Sequence, residues 1–528
     1  MIKIKNPYTK KRFNLKEKSQ KKFSETVIPW IKKIPLNEDW DAKRRFIPQS
    51  LNRIRIDLEH KHRSLWKNNV PEDTGVSLLS MYVAEYIPIE YIDNLNKGLK
   101  KIFREFNPTG FNTNNPSNID KFCSEVKQSI HGRRWSRFGD LQIHENNELC
   151  EFVNRISVNG TQISSSSIVI QFVIEPSDKF QKEYNKLIES NIEEEPIFVP
   201  KIKQLFSFWA SKSRSNVIVK EQMIEDLLLE LKWRTLKEMG KYFYMYFYKN
   251  KLVPPSIEVY KIKQRSCRYK YDENEERSEF WDSIGMSAFR FHEISKNGHW
   301  QLFANEKEYL IDNSIKLACN EEIPQNDIFS SLNFQIVYFV KELAMSLLPI
   351  LVMRYYTIAL GKKIADQQKN TFKSIKKENP NYNKLINIRY ELEQNLQILK
   401  RFKNEMEENE FKWIKGRIIG FFSDFDKARP TLSEISWGEW IMDNTNFLIK
   451  KTDTLSQNFV KIIDDTVRLI EIKTNNSLRK RTFWLTVFTG ILSILATLIA
   501  AISLYFQFSK ENQQKVQEFL LPLIKLFM

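Results

Sequence analysis

The apolar and polar positions follow different patterns along the chain, and the contrast is sharpest near the C-terminus. From Thr482 to Phe508 run 27 residues without a charge, TFWLTVFTGILSILATLIAAISLYFQF. As a helix this spans about 40 Å, more than the ~30 Å hydrocarbon core of a bilayer requires. Arg479, Lys480 and Arg481 stand at its N-terminal end, with Trp484 and Tyr505 at interfacial positions. The pattern predicts a transmembrane helix over 482–508 whose basic flank stays cytoplasmic. Within it Thr486, Gly490, Ser493, Thr497 and Ala500 recur at steps of 4, 3, 4 and 3 and share one face. Small and hydroxyl residues allow close helix packing in lipid, and in a ring of helices they can line a pore. Residues 509–528 carry a shorter apolar end interrupted by Pro522 and Lys525, which reads as an interfacial segment.

Upstream, Ile441, Leu448, Leu455, Ile462 and Leu469 fall at seven-residue spacing. Phe459 supplies an intermediate position, and Thr445, Thr452 and Thr466 occupy its equivalents. This predicts a coiled-coil-like stalk helix over 438–481 that runs without a break into the membrane segment. Residues 331–437 read as a helical region. Leu385, Ile388, Leu392, Leu399, Phe402 and Met406 mark one helix, and Asn395 falls in its seam. Pro430 and the capping pattern Thr431 to Glu434 mark the turn of a helical hairpin. Phe334 to Leu360 is also apolar, but Lys341, Glu342, Arg354 and Pro349 interrupt it, which favours a buried helix over a second span. Lys362 to Pro380 reads as a solvated linker.

Residues 1–330 mix elements and predict a cytosolic α+β region of one or two domains. Ile163 to Ile174 is rich in β-branched residues and reads as a strand, with Glu148 to Val158 as its partner and Asn159-Gly160 between them. Met223 to Lys241 reads as a helix, Tyr242 to Tyr248 as a buried aromatic element, and Glu193 to Glu195 as a loop.

Composition sharpens this picture. The chain has 82 Lys+Arg against 65 Asp+Glu, a net charge of +17 spread along its length. That balance suits an anionic membrane surface as readily as a nucleic acid. Only 14 of 528 residues are Gly, which disfavours Gly-rich phosphate loops and tight-hairpin β architectures. Cys123, Cys150, Cys267 and Cys319 form no CxxC pair and fit free thiols in a reducing compartment. The basic start lacks the apolar run of a signal peptide. No nucleotide-loop, nucleophile-elbow or HExxH pattern occurs, so no catalytic set, metal site or cofactor is assigned. Glu59-His60-Lys61-His62 is the nearest approach to a metal cluster and lacks a third ligand.

One basic segment stands out, His131-Gly-Arg-Arg-Trp-Ser-Arg-Phe-Gly139. Arg133, Arg134 and Arg137 interleave with Trp135 and Phe138. Guanidinium groups pair with phosphate and an aromatic face stacks on a base, so Arg133, Arg134, Trp135 and Arg137 are the candidates for an anionic nucleotide. A solvated or packing loop is the plain alternative.

The stretch from about Asn381 to Phe508, above all NNSLRKRTFWLTVFTGILSILATLIAAISL, resembles the CorA type of divalent-cation channel. The resemblance covers about a quarter of the chain. It implies a cytosolic domain, a long stalk helix that becomes a membrane helix, and a homo-pentamer. The Gly-Met-Asn signature of that family is absent, and Leu504-Tyr-Phe-Gln-Phe-Ser stands in its place. CorA-like proteins with unrelated cytosolic domains also act in bacterial antiviral systems, where a nucleotide signal acts on the membrane. The resemblance thus implies a single-pass, inner-membrane oligomer, N-terminus cytoplasmic, that conducts ions or permeabilises the bilayer under ligand control. The alternatives are a non-conducting tethered scaffold and, third, a membrane-anchored enzyme.

Overall fold

The structure is a computed structural model. It describes residues 7–8, 74–106, 116–128, 134–164, 167–192, 195–200, 209–214, 216–263, 280–281, 284, 291–304, 314–376, 382–407, 409–427, 436–507 and 510–527. The chain divides into two compact units. The first comprises Met1–Lys363 with Asn395–Thr454, and the second Ile364–Gln394 with Leu455–Met528.

The first unit is built on a nine-stranded sheet. In chain order its strands are β1 (Gly75–Pro88), β2 (Trp135–Gln142), β3 (Val153–Ser164), β4 (Ser167–Pro176), β7 (Ser256–Lys263), β8 (Phe291–Ser295), β9 (Trp300–Ala304), β10 (Ser314–Asn320) and β11 (Phe425–Lys427). Their spatial order is β11-β8-β9-β10-β7-β1-β4-β3-β2. β7 and β10 run parallel, while the other neighbours pair antiparallel. A separate hairpin joins β5 (Glu195–Pro200) to β6 (Trp209–Arg214), so Glu195 begins a strand and not a loop. Residues 193–194 lie outside the described residues.

Period-two alternation explains how the sheet is covered. Met81, Val83 and Ile87 of β1, Ile156 and Val158 of β3, and Ile168, Ile170, Phe172 and Ile174 of β4 point to one face. There they meet the apolar sides of α1 (Ile92–Glu105), α2 (Pro116–Gln128), α3 (Asp178–Glu189) and α4 (Asn216–Met239) in one continuous core. Ser177 caps α3, its hydroxyl accepting the Phe180 N–H. The aromatic run Tyr242 to Tyr248 turns through the short α5 (Tyr246–Lys249) and buries Phe243, Met245 and Phe247.

The predicted hairpin is displaced. Asn159 and Gly160 are not its turn but lie inside β3, which pairs with β4 up to Ser164 and Ser167. Packing keeps a glycine there: a Cβ on Gly160 would stand 2.6 Å from the Phe138 ring and 3.2 Å from Phe122.

On the other face the sheet is covered by α6 (Leu332–Lys376), whose first 32 residues belong to this unit, and by the end of α7 (Tyr382–Glu407). Tyr86 of β1 packs on Tyr356 of α6 and Phe402 of α7, and Tyr82 donates to the Val337 carbonyl at 2.6 Å. The buried reading of Phe334 to Leu360 holds: two-thirds of its apolar window (67%) is inside the protein. Arg354 is tolerated because Asn444 accepts its guanidinium, which also covers the Trp440 ring at 5.0 Å. The stretch from Lys362 to Lys376 is not a linker, since α6 continues through it; residues 377–381 lie outside the described residues.

α8 (Asn409–Phe422) follows, then β11, then α9 (Trp437–Gln507), 71 residues without a break. The Thr431–Glu434 capping pattern lies outside the described residues. Ser436 caps α9 instead, accepting the Glu439 N–H, and the buried Glu293 carboxylate accepts the Trp437 N–H at 2.7 Å. A negative charge at this end complements the helix dipole.

In the second unit the end of α6, the start of α7 and the lower part of α9 pack together. Ile364, Leu385, Leu392, Phe459 and Ile463 are buried, and Gln367–Glu391, Arg389–Asp464 and Tyr382–Glu471 bridges tie the three segments. α10 (Lys510–Phe527) is helical through Pro522, so the expected interfacial segment is a helix.

Among the described residues two helices, α6 and α9, are long and apolar enough to cross a membrane. The apolar window of α9 is wholly exposed (0% buried), whereas that of α6 is mostly enclosed.

Candidate functional site: an anion cleft and a membrane-helix stripe

Within the first unit, the ends of β1, β2, β3 and β4 and the first turns of α6 enclose a cleft of about 430 Å³. The sheet face that lines it is polar. The same alternation that sends Ile156 and Val158 into the core turns Arg155, Ser157 and Asn159 the other way. Residues three apart on a regular strand face opposite sides. Arg137 and Asp140 nevertheless meet, because a bulge between Arg137 and Gly139 inserts one residue into β2. Gly139 takes the required backbone, φ +145°.

Arg137 Nη2 donates to both Asp140 carboxylate oxygens, at 2.9 and 2.8 Å, which fixes the guanidinium at the cleft. Arg155 is likewise held by Glu175 at 2.9 Å. The third cation, Lys341 of α6, has no hydrogen-bond acceptor among the described residues. Its amine lies over the rings of Trp135 at 5.8 Å and Tyr338 at 5.7 Å. Burial holds its pKa below the usual lysine value, and the nearby Arg137 charge adds to the effect. Three cations therefore face two carboxylates. The Asn159 amide oxygen is buried beside them without a partner. An unmet acceptor, an unmet ammonium and aromatic walls suit a small anion that also carries a hydrogen-bond donor and a ring.

The sequence candidates separate here. Arg137 lines the cleft, and Trp135 borders it but carries Lys341 on one face of its ring. Arg134 does not join them: its guanidinium stands 3.9 Å from Glu125 of α2, and its carbonyl accepts the Gln162 N–H. Arg133 lies outside the described residues, as do His60, His62, Arg53, Arg55 and Arg63. The segment 135–139 is an edge strand, not an open loop, because its apolar member Phe138 belongs to the core. Lys341, Asn159, Arg155 and Glu175 were missed. The polar alternation of β3 and β4 was the signal for the last three, and Lys341 gave none.

On α9, Thr486, Gly490, Ser493 and Thr497 are placed on an uncovered helix whose neighbours Leu485, Phe488, Leu492 and Leu495 are all about half or more exposed. Thr486 and Thr497 donate to the carbonyls of Thr482 and Ser493 within the helix, at 2.9 and 2.8 Å. Nothing stands within 4 Å of a Cβ built on Gly490.

Among the described residues no group of three His, Cys, Asp or Glu side chains could hold a metal ion, and His292 is buried against Gln301 at 2.8 Å. Cys123, Cys150 and Cys319 form no disulfide bond among the described residues, and Cys267 lies outside them. Neither a protein-family model nor a curated protein matches the chain.

Proposed function

We propose that the protein is a membrane effector or channel, assembled as a CorA-like homo-oligomer in the inner membrane. In this reading α9 crosses the bilayer once with the N-terminus cytoplasmic, and the cleft at Arg137 and Lys341 receives a nucleotide-like anion. The observation that carries the reading is the uncharged, wholly exposed stretch of α9 within a chain whose sheet domain is covered on both faces. Such a surface needs lipid or other copies of itself. The cleft supplies a place for a controlling ligand. A bacterial antiviral role belongs to the same proposal and rests on the resemblance alone.

The test is leakage of a trapped dye from vesicles holding the purified full chain, with a panel of mono- and dinucleotides. Permeability that rises with one ligand, and fails to rise in Lys341→Ala, supports the proposal. Tight vesicles under every ligand favour the second reading, a non-conducting scaffold held by the same helix. One observation favours that second reading. The Thr486 and Thr497 hydroxyls donate to the helix backbone and so offer only their acceptor lone pairs to the water of a pore.

A further inference from the structure

A second cavity of the first unit, about 590 Å³, opens between the β8–β9 turn, α6 and α8. Its size suits a small organic molecule. Its chemistry differs from that of the anion cleft. Trp300 stacks on Phe339 at 4.9 Å and 27°, Phe339 meets Phe421 at 5.4 Å, and Phe421 stacks on Phe425 at 5.5 Å and 28°. Although it has a ring on either side, Phe339 keeps 46% of its surface exposed, so the ladder leaves an aromatic surface uncovered. Offset stacking on such faces favours flat partners over saturated ones.

Most polar groups of the lining are engaged with one another, and two keep free hydrogen-bonding capacity. Ser346 is 2% exposed, lines the cavity and has no hydrogen-bond partner among the described residues. The Asn297 oxygen accepts from Ser295 Oγ at 2.6 Å and from the His299 N–H at 3.0 Å, which leaves its NH₂ group as a donor. Charge excludes an anion. Arg417 is paired with Glu342 at 2.8 Å, and the remaining charged group of the lining is the Asp424 carboxylate.

From these observations we infer that the cavity binds an uncharged, flat heteroaromatic ring of nucleobase type, with Ser346 and Asn297 reading its polar edge. The inference does not rest on the anion cleft. Equilibrium dialysis of the full-length protein in detergent, with adenosine as the probe, tests it. The expected result is saturable uptake that AMP displaces at least tenfold more weakly than unlabelled adenosine does and that cyclohexanol does not displace. Phe339→Leu keeps the apolar volume but removes the ring, and should weaken adenosine at least tenfold. Ser346→Phe should fill the cavity and abolish uptake. Absence of saturable adenosine uptake by the unaltered protein would overturn the assignment. So would displacement by cyclohexanol, displacement by AMP as strong as by adenosine itself, or Phe339→Leu binding like the parent.

Discussion

The bulge at Gly139 shows how one inserted residue can decide what a basic segment does. Without it Arg137 and Asp140 would face opposite sides of β2; with it the guanidinium is oriented but already half-engaged by a carboxylate. A run of arginines in sequence is therefore a poor measure of available charge. The more available cation is Lys341, about 200 residues away in sequence. A second residue-scale consequence concerns Glu85, fully buried beneath α5. Burial pushes its carboxyl from 4.5 up to about 8, against the Phe247 and Tyr248 N–H groups, each 2.9 Å away, which favour the charged form. The folded state thus binds the proton more tightly than the unfolded one. This group's contribution is full below about pH 4.5 and is lost as the pH rises toward 8. Hydrogen-exchange protection of residues 246–250, corrected for intrinsic rates, should fall severalfold from pH 5 to pH 8. Glu85→Gln should flatten that dependence while lowering protection throughout, because one N–H loses its acceptor. A parent profile flat in pH would refute the assignment.

At the scale of elements, the long helix was legible, and so was the upper part of its buried face. The absence of Pro from 431 to 521 and the run of apolar positions were enough to predict one unbroken helix. Of the expected positions Ile441, Thr445, Leu448, Thr452 and Phe459 are buried, whereas Leu469 is 67% exposed in the single chain. With Ser456 and Ile463 these buried positions follow an eleven-residue repeat, and Met442, Ile449 and Asp453 are buried beside them. An α-helix has 3.6 residues per turn, so a seven-residue series drifts around it while an eleven-residue one stays nearly in place. Ser456 and Ile463 were not read, because the seven-residue count put Leu455 and Ile462 in their places. In the uncharged stretch, Gly490 meets no other described residue of its own chain, so in the proposed oligomer a change there reports on contacts between copies. Gly490→Leu should reduce the oligomer fraction in detergent, whereas Leu495→Ala should change it little. Single cysteines at 490 should cross-link efficiently and those at 495 should not. The reverse pattern would place the interface on the other face.

For the whole molecule, the decisive question is how many of its two apolar helices meet lipid. Hydropathy alone admits both. The structure separates them by company: α6 lies under the sheet, with Arg354 satisfied by Asn444 and Trp440, whereas the end of α9 has no cover. An arginine at the bilayer centre is costly, while one with a buried acceptor and a ring is an ordinary feature of a packed core. The charged positions Lys341, Glu342 and Arg354 had already pointed this way in the sequence. The partners of Arg354 could not be read there, because Asn444 and Trp440 lie some 90 residues further along. If α9 is the membrane element and α6 a core helix, a chain ending at Arg481 should be recovered in the soluble fraction. The full chain should resist extraction by alkaline carbonate. The truncated protein should keep the fluorescence of its buried Trp437, which packs on Phe422 at 5.2 Å. A truncated protein that folds yet still resists carbonate would make α6 a second span and the one-crossing topology wrong.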